Sequence, residues 1–169
     1  MVIVYILILL YSLSRYYDLS CCGLASDYAL WQIISYNFVH LGFMHLLCNV
    51  VGFLLYRPMI RLYYGRLLPA VVITLSVVLS SMLFCSERPT FGASTIIFAM
   101  TGMYLNKIWQ TKHPYRKKYT IMLFILLAIQ TAFGYNVVNW QIHISALVSS
   151  FLITRLCTIT IPILRLQKS

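Results

Sequence analysis

The sequence predicts an all-α integral membrane protein that crosses the bilayer six times. Of its 169 residues, 61% are hydrophobic and only 9% are charged, a composition far outside that of soluble globular chains. A spanning helix needs roughly 20 apolar residues, so six would use about 120 of them and leave only short loops. We therefore expect residues 1–169 to form a single membrane domain.

Six apolar stretches carry this prediction. They are continuous and do not alternate with a period of two, which favours helices over a membrane barrel. Shorter polar, charged or Pro-bearing segments separate them. The predicted spans cover residues 1–14, 38–56, 67–85, 92–106, 119–134 and 141–160.

The positions of the basic residues predict the orientation, because Lys and Arg near the ends of spans are retained on the cytoplasmic side. With both termini in the cytoplasm, only Arg15 and Arg88 lie outside, as do all three acidic residues. The net charge of +10 is divided among separate loops, which disfavours nucleic-acid binding. The cytoplasmic set is Arg57, Arg61, Arg66, Lys107, Lys112, Arg116, Lys117, Lys118, Arg155, Arg165 and Lys168.

A few polar side chains lie within the spans, where burial in hydrocarbon is costly and function is the usual reason for it. His45 and Asn49 are on the second span, Gly92 and Ser94 begin the fourth, and His143 is near the start of the sixth. These three spans run from outside to inside, so the residues share a depth near the outer face.

Spacing separates the two histidines of the second span. His45 and Asn49 are four residues apart and share one face of a helix. On the same predicted helix, His40 is rotated by about 140° from His45 at 3.6 residues per turn. We therefore expect His45 and Asn49 to act on one centre and His40 to brace the outer loop.

These groups suit acyl transfer. A serine hydroxyl needs a base to become a good nucleophile, and Ser94 with His143 supplies such a pair. His45, Asn49 and the backbone N–H of Ser94 are candidate donors to an oxyanion. Because no acidic residue lies in a span, the arrangement would be a Ser–His dyad.

Other membrane chemistries fit less well. An H-E-x-x-H metalloprotease needs a Glu beside the first His, but Leu46 follows His45. An aspartyl protease needs two carboxylates inside the membrane, and Asp18 and Asp27 precede the second span. No metal or organic cofactor is expected. The structural alternative is that each His makes an interhelical hydrogen bond and Ser94 caps a helix.

Three segments resemble the rhomboid family of intramembrane serine proteases. HLGFMHLLCN on the second span resembles its H-x-x-x-x-H-x-x-x-N helix, FGAST its G-x-S-G turn, and the histidine of the sixth span its catalytic base. The resemblance implies a six-helix rhomboid-like bundle. It also implies that Ser94 is the nucleophile and His143 the base, with His45 and Asn49 as oxyanion partners. In the same family pattern, Gly92 is the glycine of the serine turn and Phe98 is the aromatic residue that packs against the base.

The resemblance further implies that the protein cleaves transmembrane segments of other membrane proteins from within the lipid bilayer. One departure is Thr95, which stands where the family's motif has a glycine after the serine. On the sixth span, Ala146 and Ser150 take the place of the family's small residues and still permit close helix packing. A catalytically inactive relative that binds transmembrane helices without cutting them is the alternative.

Overall fold

The structure is a computed structural model that describes residues 2–122, 125 and 139–160. Within these ranges the regular structure is helical, apart from one antiparallel bridge between Leu24 and Thr90. Short 3-10 turns occupy Ser20–Cys22 and Tyr36–Phe38. The helices are α1 (Val2–Leu13), α2 (Gln32–Ser35), α3 (Phe43–Tyr64), α4 (Leu67–Phe84), α5 (Ser94–Gln110) and α6 (Trp140–Thr160).

Most predicted spans coincide with these helices. Helices α1, α4 and α6 match the first, third and sixth spans to within about two residues at each end. Helix α5 starts two residues later than the fourth span and extends four residues further. The fifth span, predicted at 119–134, lies largely outside the described residues, of which 116–122 are helical.

The bounds of α3 differ from the prediction for the second span. The helix begins at Phe43, because the preceding Gly42 has extended backbone with φ −145° and ψ 148°. It then continues through Pro58 to Tyr64. A proline removes one hydrogen bond from a helix, which neighbouring groups in a membrane protein can compensate. Gly65, at φ 72°, ends the helix in a conformation that favours glycine.

Three of the described helices, α3, α4 and α6, are long and apolar enough to cross a membrane. Many of their large apolar side chains face outward: Leu62 is 75% exposed and Leu67 is 83% exposed. An apolar surface of this extent is unfavourable in water and marks contact with lipid or protein. The outer surface is therefore that of an integral membrane protein.

Helix α5 occupies the centre of the bundle, since it packs against α3, α4 and α6. Met100 and Met103 of α5 belong to a buried cluster with Phe53 of α3 and Val72 of α4. The position of α5 is thereby fixed relative to its three neighbours.

The closest helix pair is α5 with α6. A methyl group added at Gly102 would collide with the carbonyl oxygen of Leu147 and the hydroxyl of Ser150. Ala146 and Ser150 are fully buried at this contact face, as expected for small residues spaced four apart. Further along the pair, Asn106 Nδ2 donates to the carbonyl of Phe151 at 3.1 Å, which fixes the register of the two helices.

We expect Gly102→Ala to destabilise the protein by about 1–3 kcal/mol, the usual cost of overpacking a tight contact. The loss is expected although alanine is the better helix former. Thermal unfolding in detergent micelles measures the effect. Ser12→Ala is the control, because it places alanine at an exposed position on helix α1. Equal stability of Gly102→Ala and the wild type would contradict the close approach.

Candidate active site

The turn that precedes α5 places Ser94 at the first position of the helix. Gly92 has φ 105°, a backbone conformation that residues other than glycine rarely adopt. Its N–H donates to the carbonyl of Tyr36 at 2.8 Å, and a methyl group on it would collide with the ring of His45. The first N–H groups of a helix have no intrahelical acceptor, so the Ser94 amide can serve a ligand.

Ser94 and His143 meet near the N-terminal ends of α5 and α6. The distance from Ser94 Oγ to His143 Nε2 is 2.7 Å, which is that of a good hydrogen bond from a hydroxyl. The residues are 8% and 4% exposed. The structure therefore brings together the two side chains that the sequence paired, in a place closed to bulk solvent.

Phe98 lies against the imidazole of His143. The two rings are stacked with centroids 4.6 Å apart and an angle of 3° between their planes. Since Phe98 is one turn below Ser94 on α5, one helix supplies both the hydroxyl and the surface on which the imidazole rests. The stacking restricts the rotation of His143 and so keeps Nε2 near Ser94.

Asn49 contacts His40. Its Nδ2 donates to His40 Nε2 at 2.9 Å, and the backbone N–H of Ala93 donates to the same nitrogen at 3.2 Å. His40 is fully buried. This single acceptor atom therefore connects the oxyanion candidate on α3 to the residue just before Ser94.

His45 also borders the serine turn. Its ring packs against Gly92, and it meets the ring of His40 edge to face with centroids 5.2 Å apart. His45 thus borders the turn that leads to Ser94 directly, whereas Asn49 is linked to that turn through His40. The nearer structural partner of Asn49, however, is His40.

His40, which the sequence led us to expect as a brace for the loop, also accepts hydrogen bonds from Asn49 and Ala93. The 140° rotation assumed a helix that starts at residue 38, whereas α3 starts at Phe43. Extended backbone at Val39 and Gly42 lets His40 fold back over the first turns of α3. The repeated histidines of HLGFMHLLCN were the available signal.

Tyr36 was missed by sequence reasoning altogether. Its carbonyl accepts from Gly92, and its hydroxyl lies 3.0 Å from the hydroxyl of Ser81 on α4. The ring is fully buried. No motif in the sequence distinguishes it from the other twelve tyrosines.

Comparison with known protein families bears directly on this arrangement. The family model for the Rhomboid domain matches residues 27–159. The chain belongs to the rhomboid family. The matched range includes α3, α5 and α6 and so contains all the residues of the candidate site.

Two curated relatives are similar to this rhomboid protein. A Bacillus subtilis (strain 168) protein named "Putative rhomboid protease YdcA" is 26% identical over 133 residues, which are 75% of this chain and 67% of the relative. "RHOMBOID-like protein 5" of Arabidopsis thaliana is 25% identical over 104 residues, 59% of this chain and 34% of the relative. The chain therefore spans about two thirds of the bacterial relative and one third of the plant relative.

We expect His40→Ala to lower the free energy of unfolding by about 1–3 kcal/mol, because buried donors on Asn49 and Ala93 would lose their acceptor. Thermal unfolding in detergent measures the change. His113→Ala is the matched control, since Nδ1 of His113 accepts an exposed contact from the Tyr115 amide. If both variants unfold at the same temperature, His40 does not hold the serine turn.

Proposed function

We propose that this rhomboid protein is an intramembrane serine endopeptidase that cleaves transmembrane segments of other membrane proteins. The observation that supports it most strongly is the 2.7 Å approach of Ser94 Oγ to His143 Nε2 on two packed helices. A hydroxyl and an imidazole at this separation, inside a membrane protein, are the minimum required for nucleophilic acyl transfer.

In the proposed reaction, Ser94 Oγ attacks the carbonyl carbon of the scissile peptide bond and its proton passes to His143 Nε2. The tetrahedral intermediate then collapses, the C–N bond breaks, and His143 protonates the departing amine. An ester to Ser94 remains. Water, deprotonated by His143, attacks this ester and releases the carboxyl product and the free serine.

The negative charge of the intermediate needs donors. The Ser94 N–H lies at the positive end of the α5 dipole, and His45 borders the same turn. A side-chain amide has two N–H bonds. Asn49 uses one of them toward His40, which leaves the other for the oxyanion and orients it.

Access to this site must come from a change in the surrounding protein, because Ser94 and His143 are buried. We propose that the substrate is a transmembrane helix that unwinds near the outer face and enters between the helices of the bundle. The bundle would have six spans in one domain over residues 1–169, with both termini in the cytoplasm. The partners are then transmembrane proteins and the lipid bilayer, and the mechanism uses no cofactor.

One observation favours an inactive, helix-binding relative. Thr95 places a buried β-branched side chain directly after Ser94, where it reduces the freedom of the adjacent backbone. Retention of both Ser94 and His143 in contact favours the enzyme. The same experiment separates the two functions, since an inactive protein would bind a transmembrane substrate and leave it intact.

We expect Ser94→Ala to abolish cleavage of a transmembrane substrate in proteoliposomes, since no other group would form the acyl intermediate. Cleaved product is quantified by gel electrophoresis. The matched control is Ser12→Ala, which removes an exposed hydroxyl bonded to the carbonyl of Ile8 and should cleave at the wild-type rate. Equal cleavage by Ser94→Ala and the wild type would refute the proposed nucleophile.

We expect Phe98→Ala to reduce kcat roughly tenfold, because an imidazole without its stacking partner spends less time aligned with Ser94 and small misplacements are costly in catalysis. Phe98→Tyr keeps the aromatic ring and should retain most activity. Steady-state kinetics on the same substrate measures both. A normal kcat in Phe98→Ala would mean that the stacking has no role in aligning the base.

A further inference from the structure

Asn139 lies one turn before His143, at the start of α6, and its side chain contacts three parts of the protein. Nδ2 donates to the carbonyl of Phe84 at 2.9 Å and to the hydroxyl of Thr90 at 3.3 Å. Oδ1 accepts from the backbone N–H of Ile142 at 3.3 Å. The first two contacts link the end of α4 and the segment before α5 to the helix that bears His143, and the third lies within that helix.

The contact with Phe84 connects two helix ends. Phe84 is the last residue of α4, and Cys85 after it has extended backbone with ψ 146°. The last carbonyls of a helix lack an intrahelical donor, and a membrane environment makes an unsatisfied carbonyl costly. Asn139 supplies a donor, so the outer end of α4 and the start of α6 are tied to each other.

The contact with Thr90 extends this tie to the segment between α4 and α5. The N–H and carbonyl of Thr90 bond Leu24 at 2.8 Å and 3.1 Å, so its backbone belongs to the antiparallel bridge. Its side chain is left to meet Asn139. Thr90 is also only four residues from Ser94, so the hydroxyl contact relates the serine turn to the base helix.

The bridge connects in turn to α2. Gln32 Nε2 donates to the carbonyls of Cys21 and Gly23, each at 2.8 Å, next to the bridge residue Leu24. Gln32 neighbours Trp31, which is 52% exposed and is of a residue type common at membrane interfaces. A continuous series of hydrogen bonds therefore runs from the outer loop through Thr90 to Asn139.

The contact with Ile142 acts on the base itself. Ile142 directly precedes His143 and is fully buried, so a bond to its N–H fixes the first turn of α6 in rotation and in depth. The hydrogen bond from Ser94 Oγ depends on that placement. A misplacement of about 1 Å at a reacting group can cost on the order of a hundredfold in rate.

We propose that Asn139 is a positioning residue that holds His143 in line with Ser94 by tying α6 to the end of α4 and to Thr90. This inference rests on the proposed protease function. A cap that only stabilises α6 would require the Oδ1 contact alone. The two Nδ2 contacts are the part of the geometry that a simple cap does not need.

Substitutions can separate these contacts. Asn139→Asp keeps an oxygen for the Ile142 N–H, and the Thr90 hydroxyl can donate to the new carboxylate, but the bond to the Phe84 carbonyl is lost. Thr90→Val removes only the hydroxyl contact and leaves the backbone bridge to Leu24. Asn139→Ala removes all three contacts. The wild type and these variants are compared with Ser94→Ala.

The probe is a fluorescent fluorophosphonate. Ser94 Oγ attacks its phosphorus, fluoride departs, and the hydroxyl proton goes to His143. The rate of labelling reports the reactivity of Ser94 with His143, and the measurement does not require the natural substrate to be known. The maximal labelling rate, the probe concentration giving half that rate, and the unfolding temperature are measured for each protein in detergent.

We expect Asn139→Asp to lower the maximal labelling rate of the folded protein about tenfold, with an unchanged half-saturating concentration and a smaller drop in unfolding temperature than Asn139→Ala shows. Thr90→Val is expected to lower the rate about threefold. Asn139→Ala should lower both the rate and the unfolding temperature. Ser12→Ala, which changes an exposed hydroxyl on α1, serves as the unaffected control.

Two outcomes overturn the inference, and they differ from failure of the proposed function. If Asn139→Asp is labelled within twofold of the wild-type rate, Asn139 is a cap and does not position the base. If Asn139→Asp loses rate only in proportion to lost folded protein, its role is structural. If the wild type is labelled no faster than Ser94→Ala, the dyad itself is inactive and both proposals fail.

Discussion

The site depends on how closely α5 and α6 approach each other. Gly102 has no side chain, so the backbone of α6 can approach α5 closely at this position. Asn106 fixes the register of the two helices by donating a hydrogen bond to the Phe151 carbonyl. Because these contacts set the separation and the register of the two helices, their N-terminal ends bring Ser94 Oγ and His143 Nε2 to 2.7 Å. All three acidic residues of the sequence lie outside α5 and α6, so helix packing and the stacked ring of Phe98 orient the imidazole.

The part of the candidate site around Gly92 and Asn49 is organised by a segment outside the long helices. Residues 36–42 fold back so that the Tyr36 carbonyl holds Gly92 and His40 Nε2 receives N–H groups from both Asn49 and Ala93. Buried donors require acceptors. This segment supplies them where neither α3 nor α5 can, and it joins the two helices that border the serine turn.

The sequence predicted the parts of this structure that follow from long-range patterns. Long apolar runs predicted α1, α4 and α6, and polar residues at the starts of apolar runs pointed to Ser94 and His143, which the structure brings into contact. The bounds of α3 were less predictable, because Pro58 and the nearby arginines suggested a loop while lipid favours continued helix. His40 and Asn139 make hydrogen bonds with backbone amides and carbonyls that are far away in the sequence and come close only in the folded chain. Their residue types alone therefore did not identify their contacts.

The burial of the dyad has a consequence for rate and selectivity. If substrate binding in the proposed protease requires an opened arrangement, the apparent affinity is scaled by the share of time that the bundle spends in it, and an opened share of about 1% weakens that affinity about a hundredfold. Stable transmembrane helices would then not be cleaved, because they neither stay near the entrance to the site nor unwind there. In the proposed protease, selectivity would then arise from the time that a helix spends unwound at the site rather than from a tightly fitting sequence motif.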